Sequence, residues 1–141
     1  MVERLRLLAA FVPELSLVAQ VNSGIVGHVL LTRIAIRNRG ESVPSLALAP
    51  LSVVPRYQRR GVGASLVIAA HDRATELGFL SIIVVGIPGY YCRFGYEPLR
   101  RYGITIPFDV PDDQGMVKLL SPSAATAIRG MVQYPREWME R

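Results

Sequence analysis

What the chain has little of narrows the chemistry open to it. Cys92 is the only cysteine, which excludes an internal disulfide, and with only His28 and His71 to join it no Cys/His zinc set can be assembled. The absence of disulfides fits a reducing, cytoplasmic setting, and no metal is expected. Lysine occurs once, at Lys118, so nearly all of the positive charge behind the formal net charge of +5 is carried by arginine. No apolar run approaches the length of a membrane span. Near the N-terminus, Pro13 and Glu14 cut the run from Leu7 to Val12 too short for a signal-peptide core, so a soluble protein is expected.

What is present is the profile of a folded globular chain: half of its 141 residues are apolar and 19% are charged. That length suits one domain spanning residues 1–141 around a single core. Most arginines, among them Arg4, Arg33, Arg73 and Arg129, are scattered, which argues for a solvated basic surface and against a nucleic-acid stripe. The compact exception is Arg56, Arg59 and Arg60. It sits beside glycines and points to a small phosphorylated ligand.

Residues 3 to 12 have a helical look that Pro13 should end, and Leu15 to Val21 reads as a strand. Asn22-Ser23-Gly24 makes a hairpin turn, Ile25 to Ile36 resumes as strand, and residues 38 to 42 form a polar loop. Leu46 to Val54 is an apolar run suited to a strand buried on both faces, with Pro50 marking a bulge or a separation from its neighbour. From Gly61 to Leu77, Val62, Leu66, Ala70, Ala74 and Leu77 recur at helical spacing, and Gly78 supplies the cap. Phe79 to Val85 reads as a buried strand, followed by a turn and the short aromatic segment Tyr90 to Phe94. Ile104 to Ile106 and Met116 to Leu120 are further strands, separated by the turn-forming residues 111 to 115. The order implies an α/β arrangement on a mixed sheet.

Gln58-Arg59-Arg60-Gly61-Val62-Gly63-Ala64 lies between a buried strand and an amphipathic helix. A helix N-terminus offers unpaired N–H groups and partial positive charge, and glycine there lets a phosphate approach the backbone. The dinucleotide fingerprint wants a third glycine where Leu66 stands, and a nucleotide P-loop wants a lysine that is absent here. Both are disfavoured. By itself, Gly-x-Gly is equally compatible with a plain tight connection.

The flanking residues decide between these. The run from Leu51 to Gly63 resembles the acetyl-CoA motif of the GNAT superfamily, whose Gln/Arg-x-x-Gly-x-Gly/Ala pattern falls on Gln58, Gly61 and Gly63. Downstream, Tyr91-Cys92-Arg93-Phe94-Gly95-Tyr96 resembles the family's Tyr-x-x-x-Gly-Phe segment. The likeness is strong from about Leu46 to Tyr96 and is greatest to small bacterial YhbS-like acetyltransferases. The resemblance implies a mixed, mostly antiparallel central sheet flanked by helices, with a bulged and splayed central strand that Pro50 accommodates. It also implies that the backbone of Arg59, Arg60, Gly61, Val62, Gly63 and Ala64 holds the pyrophosphate of acetyl-CoA, the acyl-donor substrate. Ser65 offers a hydroxyl where Ala64 replaces the usual Ser or Thr. The main chain of Leu51, Ser52 and Val53 would pair with pantetheine, and Tyr91 would be the acid that protonates the departing thiolate.

Relatives usually begin with a strand and a helix before the first hairpin, whereas this chain starts near the end of that helix. A homodimer, a partner strand or a misassigned start site would each cover the surface this leaves. Ala47 and Ala49 stand where some relatives carry titratable residues, so no general base is assigned. His28, Glu41 and Asp112 are the candidates, each also readable as an ordinary strand or loop residue. His71 and Asp72 are expected to be solvated, and Cys92 to be buried and inert. The expected reaction is direct acetyl transfer to an unidentified primary amine, on a small molecule or a peptide, without nucleic acid or membrane. The alternative is a catalytically idle acyl-CoA-binding or regulatory module.

Overall fold

The computed structural model describes residues 11–22 and 24–136. They form strands β1 (Phe11–Val21), β2 (Gly24–Asn38) and β3 (Glu41–Val53), helix α1 (Val62–Glu76), β4 (Ser81–Val85) and the short helix α2 (Pro88–Tyr91). There follow β5 (Glu97–Pro98), β6 (Ile104–Thr105), β7 (Gly115–Leu119), the single-turn helix α3 (Ala124–Ala127) and β8 (Gly130–Gln133). Three 3-10 turns, Pro55–Tyr57, Cys92–Phe94 and Leu99–Tyr102, complete the order. By density of contacts the chain divides into two compact units. One holds the described residues up to Thr32 with Leu48–Gly78; the other holds Arg33–Ala47 and the described residues from Phe79 onward.

In the first unit β1 pairs antiparallel with β2, from Val21↔Gly24 back to Phe11↔Thr32. The helix expected to end at Pro13 is not found over Phe11 and Val12, which belong to β1; its remaining residues, 3–10, lie outside the described residues. Proline is tolerated in this strand because the register shifts between Phe11 and Ser16, and an irregular stretch needs no ladder N–H from it. Helix α1 packs on β1 and buries Leu66, Val67, Ala70, His71 and Ala74. Gly27 of β2 permits a close approach, since a Cβ there would stand 3.0 Å from Leu66 Cδ1, 3.1 Å from Val62 Cγ1 and 3.2 Å from the Ser52 carbonyl. Leu77 and Gly78 close the helix by donating N–H groups to the carbonyls of Arg73 and Thr75.

The second unit orders its strands β5-β7-β4-β3-β2-β8-β6, through the parts of β2 and β3 that it contains. The β4–β7, β5–β7 and β2–β8 pairings are antiparallel; β3–β4 and β6–β8 are parallel. The polar loop expected over residues 38–42 shrinks to a two-residue turn, because Arg39 (φ 51°) and Gly40 (φ 84°) both adopt the left-handed conformation that a tight hairpin requires. The β3–β4 register covers Leu46↔Ile82 and Ala47↔Ile83. Ile34, Ile36, Ile83, Val117, Ile128 and Val132 anchor the core of this unit. Short β5 and β8 and helix α3 had no sequence pattern long enough to announce them.

Candidate functional site

The glycine loop is built by a sequence of short local bonds in the first unit. The Val54 N–H donates to the Val26 carbonyl at 2.9 Å, fixing the end of β3 on β2, and the Tyr57 N–H donates to the Val54 carbonyl at 2.9 Å to start the 3-10 turn. Pro55 occupies the first position of that turn, where no N–H is needed. The Gln58 side-chain amide reaches back and donates to the Val53 carbonyl at 3.0 Å. Arg59 (φ 64°) and Gly61 (φ 82°) then take left-handed backbone conformations that swing the chain into α1. Gly61 is the N-cap, and a side chain there would meet nothing within 4 Å. The space beside the turn is open.

The electrostatics of this loop suit an anion. The first intrahelical bond runs from the Ser65 N–H to the Gly61 carbonyl, so the N–H groups of the preceding turn have no helical acceptor. No acidic residue occupies the first turn of α1. The Arg56 and Arg60 guanidiniums lie 5.6 and 5.5 Å from the Tyr57 ring centre, which holds both charges at the turn. A neighbouring open cleft of about 410 Å³ is lined by Ile25, Val26, Val54, Pro55 and Arg56. The structure therefore gathers Leu51, Ser52, Val53, Gln58, Arg59, Arg60, Gly61, Val62, Gly63, Ala64 and Ser65 within this single unit. Gly27 was missed as a supporting residue; its only signal is a glycine inside an apolar strand.

Tyr91 belongs to the second unit, at the end of α2. Its half-buried ring lies on Gly86, where an added Cβ would stand 2.6 Å from Tyr91 Cε2. Tyr90 and Tyr96 meet it edge-on, with ring centres 5.0 and 5.5 Å away. Burial, and secondarily the neighbouring Tyr90 hydroxyl, push the Tyr91 phenol above its usual value, so the proton stays on the oxygen at neutral pH. Tyr90 instead stacks under the Arg93 guanidinium at 4.4 Å, which also lies 4.8 Å from the Phe94 ring centre.

Among the other candidates, Glu41 and Asp112 are exposed, and the half-buried His28 has its Nε2 3.2 Å from Ser16 Oγ. Two expectations fail. His71 is buried rather than solvated, because it falls beside Val67 and Ala70 on the face of α1 that packs inward, while Asp72 is exposed as expected. Cys92 is exposed rather than buried, since the 3-10 turn after α2 turns it outward. Among the described residues, no three His, Cys, Asp or Glu side chains come close enough to hold a metal, and no helix is long and apolar enough to cross a membrane.

The family description "Acetyltransferase (GNAT) domain" matches residues 6–99, two thirds of the sequence. The chain belongs to the GNAT acetyltransferase family. Within that family it is 35% identical over 102 residues to the uncharacterized N-acetyltransferase YjhQ of Escherichia coli K12, and spans 56% of that relative's length. It is 27% identical over 121 residues to the uncharacterized N-acetyltransferase YhbS of the same strain, covering 85% of this chain and 71% of the relative. The crystal structure of E. coli YhbS in complex with CoA superposes with a TM-score of 0.88 at 26% identity, covering 99% of this chain and 76% of that one. A Brucella melitensis GNAT acetyltransferase in complex with acetyl-CoA gives a TM-score of 0.74 at 25% identity, covering 97% and 75%. The fold is accordingly the mixed, mostly antiparallel α/β fold of GNAT proteins.

Proposed function

We propose that the chain is an acetyl-CoA-dependent N-acetyltransferase acting on a primary amine by direct attack. The observation that carries this reading is the glycine loop: left-handed turns at Arg59 and Gly61, open space at Gly61, a helix N-terminus without nearby acid, and two guanidiniums held on Tyr57. These features suit the pyrophosphate of a CoA thioester, and the relatives crystallised with CoA and acetyl-CoA support the same donor. The main chain of Leu51, Ser52 and Val53 pairs with pantetheine, and the amide near Val53 polarises the thioester carbonyl.

In the reaction the amine nitrogen bonds to the carbonyl carbon, the carbon–sulfur bond breaks, and the amine loses a proton to solvent. Tyr91 gives its proton to the departing thiolate and regains one from water. Its protonated state at neutral pH and its fixed ring plane support this role. An exposed, unassigned base is compatible with proton loss through water.

Calorimetric titration with acetyl-CoA, with dephospho-CoA and ATP as controls, followed by thiol-release assays over an amine panel, tests the reading. Selective binding with turnover of any amine supports it. Selective binding without turnover of any amine favours an idle acyl-CoA-binding module, and no binding overturns both.

A further inference from the structure

A second cleft, of about 250 Å³, lies wholly within the unit that carries Tyr91. Leu99, Ile104, Ile106, Phe108 and Val110 give it an apolar wall, Gly115 its floor, and Arg100 and Asp112 one charge of each sign. Gly115 is small for a reason: a Cβ there would stand 2.8 Å from Leu99 Cδ1 and 3.6 Å from Ile106 Cδ1, so a side chain would force the wall to move. Arg101, the neighbouring cation, is already held by Glu97 at 3.2 Å, and the Tyr102 hydroxyl donates to the other oxygen of that carboxylate. Arg100 is therefore the guanidinium that the cleft can use.

The turn at the edge of the cleft is tied by backbone hydrogen bonds to the residue beside Tyr91. The turn carrying Asp112 is closed by the Gln114 N–H donating to the Pro111 carbonyl at 2.9 Å. The Gln114 carbonyl accepts from the Gly86 N–H at 3.0 Å, and Gly86 is the residue on which the Tyr91 ring rests. Gly115 continues that turn into β7 opposite Val85.

Resting on the acetyl-transfer reading, the geometry points to this cleft as the acceptor site, built for a small apolar α-amino acid whose own amine is acetylated. Its volume falls below the roughly 300–1,000 Å³ of sites for drug-sized ligands, which suits one apolar side chain. Planar, bidentate guanidinium chemistry suits the carboxylate, so Arg100 anchors that end. Asp112 lies on the turn tied to Gly86; it attracts the incoming ammonium to the Tyr91 side before the amine gives up a proton and attacks. One cation, one anion and an apolar wall in a single cleft are the complement of a zwitterionic amino acid with an apolar side chain. A peptide N-terminus, which has no nearby carboxylate, would leave Arg100 without its partner.

The test compares L-leucine and L-phenylalanine with their amides and with phenethylamine, by calorimetric binding to the intact chain and by thiol release with acetyl-CoA. The free amino acids should bind and turn over at least about tenfold better than the amides, a hydrogen bond to a charged group being worth that much. Arg100→Gln should erase the preference while leaving acetyl-CoA binding unchanged, and Asp112→Asn should weaken all five amines alike. Equal use of amides and acids, or a preference that survives Arg100→Gln, overturns the assignment and leaves transfer to other amines standing. Silence of every amine in thiol release, with acetyl-CoA bound, overturns the transferase reading and the acceptor role together.

Discussion

The Tyr91 ring lies so close to Gly86 that a single methyl group at that glycine would stand 2.6 Å from Tyr91 Cε2. The absence of a side chain at Gly86 therefore leaves room for the ring of the proposed acid. Tyr91→Phe keeps the ring and removes the proton, and should lower kcat about 10²–10⁴-fold with donor affinity unchanged. Gly86→Ala keeps the proton and displaces the ring. It should lower kcat in the same direction without altering acetyl-CoA titration, and an unchanged kcat in both variants removes Tyr91 from the mechanism.

The pH profile follows from the raised phenol. Because burial lifts Tyr91 above the ordinary phenol value of 10.0, the acid form persists through neutral and mildly alkaline pH. Any alkaline loss of kcat assigned to Tyr91 should be centred above the ordinary phenol range, and should be absent from the residual rate of Tyr91→Phe. A limb near pH 8 that disappears in that variant would contradict the raised value.

Alkaline stability should show a related effect. Burial pushes Tyr134 up to about 12, above the unfolded value of 10.0, so its contribution is fully present below pH 10 and is lost as pH rises toward 12. Denaturant midpoints measured at pH 9, 10, 11 and 12 should fall across that window. Tyr134→Phe, which keeps the ring packed 4.8 Å from that of Phe108, should flatten part of the fall.

Donor binding should be sensitive to salt. Raising ionic strength from about 0.01 M to about 1 M shortens the screening length from about 30 Å to about 3 Å. Acetyl-CoA affinity should drop several-fold over that range. In an Arg56→Ala/Arg60→Ala variant, which removes the guanidiniums held on Tyr57, affinity should start lower and depend less on salt.

A purely structural test comes from Gly130. Its φ is +131°, and a Cβ would fall 2.1 Å from the Arg37 carbonyl oxygen, a backbone atom that cannot swing away as a side chain does. Gly130→Ala should cost roughly 2–5 kcal/mol, combining a disallowed conformation with overpacking, and thermal unfolding should report it. Gly40→Ala meets nothing within 4 Å and should cost only the left-handed penalty, about 1–2 kcal/mol.

Much of the local structure was legible because it depends on neighbours in sequence. Apolar spacing from Val62 to Ala74 with Gly78 behind it predicts α1, and the observed Val62–Glu76 lies within the expected Gly61 to Leu77. The turn before β7 follows from its Pro, Asp and Gly residues, and the Gln114–Pro111 bond closes it. The readings that failed depend on neighbours in space. Pro13 looks like a helix stop until a register shift on β2 accommodates it within a strand. Polarity suggests that His71 is solvated, until the packing of α1 buries it.

The proposed site divides along the same line. The sequence alone determined the glycine loop and the arginines around it, because turn chemistry and helix-end charge are properties of a few consecutive residues. Only the tertiary structure decided that Gly86 carries the Tyr91 ring, that Gly27 admits the start of α1, and that residues from Leu99 to Gly115 enclose a cleft with Arg100 and Asp112 on it. Those relations join segments brought together by strand pairing and core burial. Their distances depend on how the whole unit packs, which no short stretch of residues contains.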